Sequence, residues 1–472
     1  MFFKKNKKEI NKIKEAEVFS NKKPKSLKPL SGFLDLSPDD QVIFSNLKNA
    51  ILESFELAGF APFDIPVVEK KSVLLANAGG DTAKEIYEIN RGDKELALRF
   101  DLTIPLAKYI ANNYKTIHFP FKRYQIDKVF RGERAQKGRY REFYQCDVDI
   151  IGNETLSIKS DAEVIKIVNE TFSSLKLADF KIKINNKKIL GGFLSNLDLN
   201  SGTTEADILR LIDKCEKITV EEFEKLLSEK NLSESQINQI IDFINISNEE
   251  NNLSNENILG ALANLEIENE EFLEGLNDMN KLINILKTFN LPEKNYSIDL
   301  KIARGFDYYT GTVFETFFNE YKEFGSICSG GRYDNLTSVY SDKVICPGVG
   351  ASIGLTRLFS QLKEANMLEN FNKSSIDLMV LPLTENLEPV FNTVDTLRKN
   401  KLKVEIFLEE KSLKKKLNYA NKKNVKYVLF IGEDEISNNF FKLKDMISGE
   451  EFELNSDELI KFLLKDKVEP RA

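Results

Sequence analysis

The first clear period along the chain is helical. Phe44, Leu47, Ile51, Phe55 and Ala58 recur three or four residues apart and stop at Gly59, which predicts a helix with one apolar face. Pro29, Gly32 and Pro38 punctuate the loop before it, and Asp39 or Asp40 is placed to cap it. Residues 63–68 are strand-like but contain Pro66, which belongs at a sheet edge or an interface. Residues 87–89 and 96–100 read as further strands. Residues 125–130 and 142–151 flank a charged loop at 131–141, a strand–loop–strand unit of an antiparallel sheet.

From about 190 to 291 the spacing turns helical again. Ile208, Leu211 and Ile212, then Ile237, Ile240, Ile241 and Ile244, carry it among Glu and Asn. Glycine-rich, strand-like character returns from Ser297 to about Phe359. A polar stretch at 370–375 reads as a linker. Strand (377–381), helix (389–399), strand (404–408), helix (412–421) and strand (426–431) follow, the pattern of a small βαβ domain with a parallel sheet. The expected architecture is an α+β domain on an antiparallel sheet (29–189 and 292–369), interrupted by a helical insertion (190–291) and followed by a small α/β domain (370–472).

Composition adds bounds. With 472 residues, 42% hydrophobic and 30% charged, the chain can bury a sizeable core in about three domains. Cys146, Cys215, Cys328 and Cys346 form no C-x-x-C pair, so neither a zinc site nor a disulfide framework is expected. No run of about 18 apolar residues predicts a membrane span. Met1-Phe2-Phe3 runs straight into lysines, so no signal peptide is expected. The net charge of −7 is uneven, since residues 1–28 hold ten Lys against three Glu. That basic lead-in reads as a solvated, disordered extension. There is no P-loop and no GxGxxG fingerprint.

Three blocks carry candidate chemistry. Between 131 and 141 five cations crowd one hairpin tip: Arg131, Arg134, Lys137, Arg139 and Arg141. Gln145, Asp147 and Asp149 then share one face of the return strand. Arginine forks match phosphate oxygens, so this is a phosphate-ligand site or a surface salt-bridge patch. Arg304-Gly-Phe-Asp-Tyr-Tyr-Thr-Gly311 sets one cation, one acid and two tyrosines between glycines, suited to a pocket with a ligand close to the backbone. Gly330-Gly-Arg-Tyr-Asp334 and Gly348-Val-Gly-Ala-Ser-Ile-Gly-Leu-Thr-Arg357 fit a glycine-rich strand entering a helix. Read singly, each is as readily structural as functional.

Read together, the blocks resemble those of class II aminoacyl-tRNA synthetases, and Arg304–Gly311 is similar to the signature of the histidyl-tRNA synthetase family. Leu98-Arg-Phe-Asp-Leu-Thr103 is a fourth matching segment. The resemblance spans roughly 29–460. It implies ATP-dependent activation of L-histidine to the adenylate, transfer to the 3′ end of tRNA-His, and an anticodon-binding domain at the C-terminus. It implies that Arg131, Arg304 and Arg357 stabilise the reacting phosphate, with Glu133 and Arg139 helping to place ATP, and that Mg2+ comes bound largely through the ATP itself. Asp101, Thr103 and Gln145 would hold the histidine α-amino group. Asp149 and Tyr309 would meet the ring nitrogens, and Tyr333 would close the pocket. No protein side chain is assigned to a metal. Arg134 and Gln136 would meet the tRNA acceptor end, and Lys414, Lys415 and Lys416 the anticodon region. On this resemblance the basic extension has an alternative role as a tRNA-touching arm. A homodimer with Pro66 at its interface, in the cytoplasm, is also implied.

The chain departs from the family pattern in places. Thr356 stands where the last motif commonly has an acid, Ala135 where proline is usual, and Asp101 and Asp149 where many members have Glu. The alternative function is a catalytically inactive, histidine-binding regulatory paralogue of histidine biosynthesis. Such relatives generally lose the catalytic arginines or the last domain, and this chain keeps both. His118, the single histidine, lies outside the matched motifs and is given no catalytic role.

Overall fold

The computed structural model describes residues 26–76, 82–136, 138–197, 199, 204–251, 253–303, 305, 308–335, 337–341, 343–369 and 371–468. Arg304 and all but three residues of the basic extension lie outside them. The first helix, α1, spans Pro38–Leu57. Ser37 caps it, accepting the Asp40 N–H at 3.2 Å, and Pro38 opens it. The cap is therefore the serine before the expected aspartates. Its hydroxyl reaches the open N–H, while the aspartates lie within the first turn, at the positive end of the helix dipole.

The predicted apolar stripe, Ile43, Phe44, Leu47, Ile51 and Phe55, is buried. It packs with the helix Lys159–Leu175 on one face of the main sheet. That sheet has eight strands: β1 (Ala61–Pro62), β2 (Phe121–Phe130), β3 (Glu142–Ile151), β4 (Phe180–Asn186), β5 (Tyr296–Ile298), β6 (Thr312–Phe318), β7 (Cys328–Tyr333) and β8 (Gly348–Gly354). Their order is β1-β2-β3-β8-β7-β6-β4-β5. The interior pairs are antiparallel, as expected, but both edge pairs, β1 with β2 and β4 with β5, are parallel. Of the expected strand at 63–68 only Val68 lies in a strand, and the short edge strand Ala61–Pro62 falls just before that range. Proline has no N–H to give a ladder, and the small three-stranded sheet of Val68–Lys70, Lys94–Leu98 and Glu88–Arg91 takes over from there.

Two strands set the site. β3 lies between β2 and β8, in register Arg123↔Asp149, Gln125↔Asp147 and Asp127↔Gln145 on one side. On the other it pairs Asp149↔Gly350, Asp147↔Ser352 and Gln145↔Gly354. Cys146, Val148 and Ile150 pack into the helical core, so the period of two sends Gln145, Asp147 and Asp149 to the opposite face.

The helical segment begins at Lys187, three residues before its expected start, because Asn186 caps the helix Lys187–Ser195 on the Lys188 N–H. Ser and Thr caps at Thr204, Thr219, Ser233 and Ser254 open four later helices. Their apolar faces, including Ile208, Ile240 and Leu262, join the same core as the main sheet. The C-terminal sheet runs Val404–Ile406, Leu378–Pro382, Tyr427–Ile431, Phe441–Asp445, Glu451–Leu454. Its first three strands are parallel, and two antiparallel strands that periodicity did not suggest extend it. Among the described residues no helix is long and apolar enough to cross a membrane.

Candidate functional site

A buried charged pocket lies at one end of the β3 strip. The Asp149 carboxylate pairs with Arg123 at 2.7 Å and accepts the Tyr333 hydroxyl at 2.5 Å. Arg123 is fully buried on β2, directly across the ladder. Gly350 is required opposite, since a Cβ there would fall 2.1 Å from the Asp149 carboxylate. Burial pushes the Asp149 carboxyl upward, and Arg123 and the Tyr333 hydrogen bond oppose this. Asp147, next along the face, is pushed up to about 7 by burial, with Arg123 lowering it and Asp149 raising it.

Tyr309 packs edge-on against Tyr308, whose ring also meets Tyr333. The backbone before them turns through Gly305 at φ 70°, where a Cβ would strike the Tyr309 ring at 2.5 Å. Asp101 accepts the Ile104 N–H at 2.9 Å as the helix Thr103–Asn113 begins. Burial raises its carboxyl, while Arg131 and Arg123 act the other way.

The open end is a cleft of ≈ 400 Å³ lined by Arg131, Glu133, Arg139, Gln145, Ser352 and Arg357 among others. The Arg131 guanidinium lies over the Phe143 ring, and its Nε donates to the Phe100 carbonyl at 3.1 Å. These contacts hold the group in place without neutralising it. Arg357 enters from the third residue of the helix Leu355–Glu364 and donates to the Phe324 carbonyl at 2.7 Å. Arg139 is largely exposed and reaches Glu133 at 3.4 Å. Arg134 and Gln136 are exposed on the hairpin.

The unexpected Thr356 has a physical reason. β8 pairs with β3 as far as Gly354↔Gln145 and then becomes a helix. The Tyr144 N–H, next along β3, is taken by Thr356 Oγ1 at 2.8 Å. A hydroxyl thus closes the ladder where strand carbonyls end, and ties the Arg357 helix to β3.

Fold and cleft bring together most of the residues singled out from sequence: Asp101, Thr103, Arg131, Glu133, Arg139, Gln145, Asp149, Tyr309, Tyr333 and Arg357. Arg332, beside Tyr333, points to the other face and grips the buried Asp161 at 2.5 Å. Its role there is structural. Reading the sequence missed Arg123 and Ser352. Arg123 was legible as the start of an alternating Arg-x-Gln-x-Asp strand, had β2 been extended back from Gln125. The four cysteines are free thiols, and His118 is exposed.

A mainly antiparallel sheet that holds two cleft arginines, one from a strand hairpin and one from a strand-to-helix turn, defines a class II aminoacyl-tRNA synthetase. Sequence comparison narrows the class. A profile described as Histidyl-tRNA synthetase matches residues 32–358, and one described as Anticodon binding domain matches 377–466. The chain belongs to the histidyl-tRNA synthetase family. Histidine--tRNA ligase of Clostridium tetani is 46% identical over 435 residues, 92% of this chain and 97% of that protein. The Clostridium acetobutylicum protein of the same name is 45% identical over 433 residues, 91% of this chain and 98% of its own. The crystal structure of histidyl-tRNA synthetase from Nostoc sp. PCC 7120 superposes with a TM-score of 0.85 at 35% identity, covering 94% of this chain and 100% of that one. A Bacillus halodurans C structure titled ATP phosphoribosyltransferase regulatory subunit/histidyl-tRNA synthetase shares the fold, with a TM-score of 0.71 at 21% identity over 87% of this chain and 100% of that one.

Proposed function

We propose that this chain is a histidine--tRNA ligase in which the cleft handles phosphate and the buried pocket reads histidine. In the first step a histidine carboxylate oxygen attacks the ATP α-phosphorus and pyrophosphate departs. In the second, a hydroxyl of the terminal tRNA ribose attacks the activated carbonyl and AMP departs. Charge builds on phosphoryl oxygens in the first step, so fixed cations supply most of the stabilisation. Arg131 and Arg357 are those cations in the cleft, with Arg304 expected to join them from outside the described residues.

ATP enters with Mg2+ on its phosphates, and Glu133 and Arg139 flank its path. Asp101, Thr103 and Gln145 receive the α-ammonium. Asp149 and Tyr309 face the imidazole, and Tyr333 fixes Asp149 from behind. The exposed Arg134 and Gln136 are placed to meet the acceptor end of tRNA-His, and Lys414, Lys415 and Lys416 the anticodon region. A homodimer with Pro66 at its interface, working in the cytoplasm where its free thiols stay reduced, completes the proposal.

The observation that carries this reading is the single cleft shared by Arg131, Arg357 and Gln145. It also favours an enzyme over a regulatory paralogue, which has no use for paired phosphate arginines. Histidine-dependent ATP–pyrophosphate exchange, followed by charging of tRNA-His, tests it. Purified protein that binds histidine but supports no exchange would leave only the regulatory reading.

A further inference from the structure

Gln145 and Ser352 are diagonal neighbours across β3 and β8, and Ser352 sits directly opposite Asp147. The three side chains form a chain of hydrogen bonds. Gln145 Nε2 donates to Ser352 Oγ at 2.9 Å, and Ser352 Oγ donates to Asp147 Oδ1 at 2.5 Å. With Asp147 ionised, the direction is forced. A serine hydroxyl has one proton, and an ionised carboxylate only accepts. Once that proton goes to Asp147, Ser352 offers only lone pairs, and Gln145 must turn its NH2 toward it.

The amide oxygen is then left facing the other way. Gln145 lines the cleft with Arg131 and Arg357, and its Oε1 is shut off from solvent and accepts no hydrogen bond among the described residues. A buried, unpaired carbonyl acceptor calls for a donor, and the carboxylate two residues away favours a cationic one.

We propose that Asp147 and Ser352 are positioning residues that lock the Gln145 amide with its oxygen toward the ligand, so that the site selects a substrate carrying an ammonium group. This rests on the reading that the histidine α-amino group meets Gln145. If the amide were free to turn over, its NH2 would present hydrogens to that ammonium. The relay removes this alternative before the substrate arrives, which is preorganisation of a polar contact.

The test compares two ligands on the full-length protein by calorimetry: L-histidine and imidazolepropionate, which keeps ring and carboxylate but lacks the amine. Ser352→Ala should weaken histidine about tenfold or more, the scale of a lost hydrogen bond to a charged group, while imidazolepropionate changes less than about threefold. Ser352→Thr, which keeps the hydroxyl, should restore the preference. Equal weakening of both ligands, or no change, in a Ser352→Ala protein would overturn the relay when Gln145→Ala still weakens histidine selectively. If Gln145→Ala leaves the preference intact, the ammonium does not meet Gln145, and the underlying reading falls with the relay.

Discussion

Arg123→Met is the perturbation whose size the structure defines best. The guanidinium and the Asp149 carboxylate are both almost wholly buried and 2.7 Å apart. At an effective dielectric of about 20 their attraction is roughly 6 kcal/mol. Desolvation costs several kcal/mol per ion and cancels most of that. The intact pair therefore adds little net stability, yet removing the arginine alone leaves Asp149 buried without its counter-charge, at a cost of ~3–5 kcal/mol.

Arg123 also restrains the upward shifts of Asp149 and Asp147. Without it both carboxyls rise further and take up protons more readily as pH falls, which removes the orphan charge. The destabilisation should thus be largest near pH 8 and shrink toward about pH 5. The double variant Arg123→Met/Asp149→Asn leaves no orphan charge at this pair and should regain at least ~1 kcal/mol. Urea unfolding followed by far-UV ellipticity at fixed protein concentration suits a chain with no tryptophan. A single variant within ~1 kcal/mol of the parent would refute the reasoning, as would a double variant no better than the sum of the singles.

Thr356→Val removes the acceptor for the Tyr144 N–H and frees the base of the Arg357 helix. Its KM for ATP in pyrophosphate exchange should rise several-fold more than its KM for histidine, and Thr356→Ser should reverse this; equal rises would make the contact merely structural. Asp147 titrates at about 7 amid Arg123, Asp149 and Asp101, and it acts in turn on Tyr309, Cys328 and Cys146. As pH falls through that value, a protonated Asp147 can donate to Ser352 and let the Gln145 amide reverse. The preference for histidine over imidazolepropionate, corrected for the separately measured ring titration of each free ligand, should therefore decline below about pH 7 and hold above it; a flat corrected ratio would contradict the relay.

Much of this protein was decided by local pattern. The stripe from Phe44 to Phe55 buried one face of α1, strand β3 ran over 142–151 as its alternation predicted, and the βαβ run after 377 folded as a parallel sheet. Those features depend on residues a few positions apart, so their period alone specifies them. The arginine blocks were legible for the same reason, since each motif is a contiguous segment.

Register and burial were not legible. Nothing local says that Arg123 lies opposite Asp149, that Ser352 lies opposite Asp147, or that Thr356 will replace a strand carbonyl 212 residues away in sequence. Those pairings arise only when β2, β3 and β8 align, and only there do a buried arginine and a serine hydroxyl acquire a charge or a direction. The sequence alone determined which groups the site has; the tertiary structure decided how each is oriented and paired, because a hydrogen bond or an ion pair depends on distances that chain order does not encode.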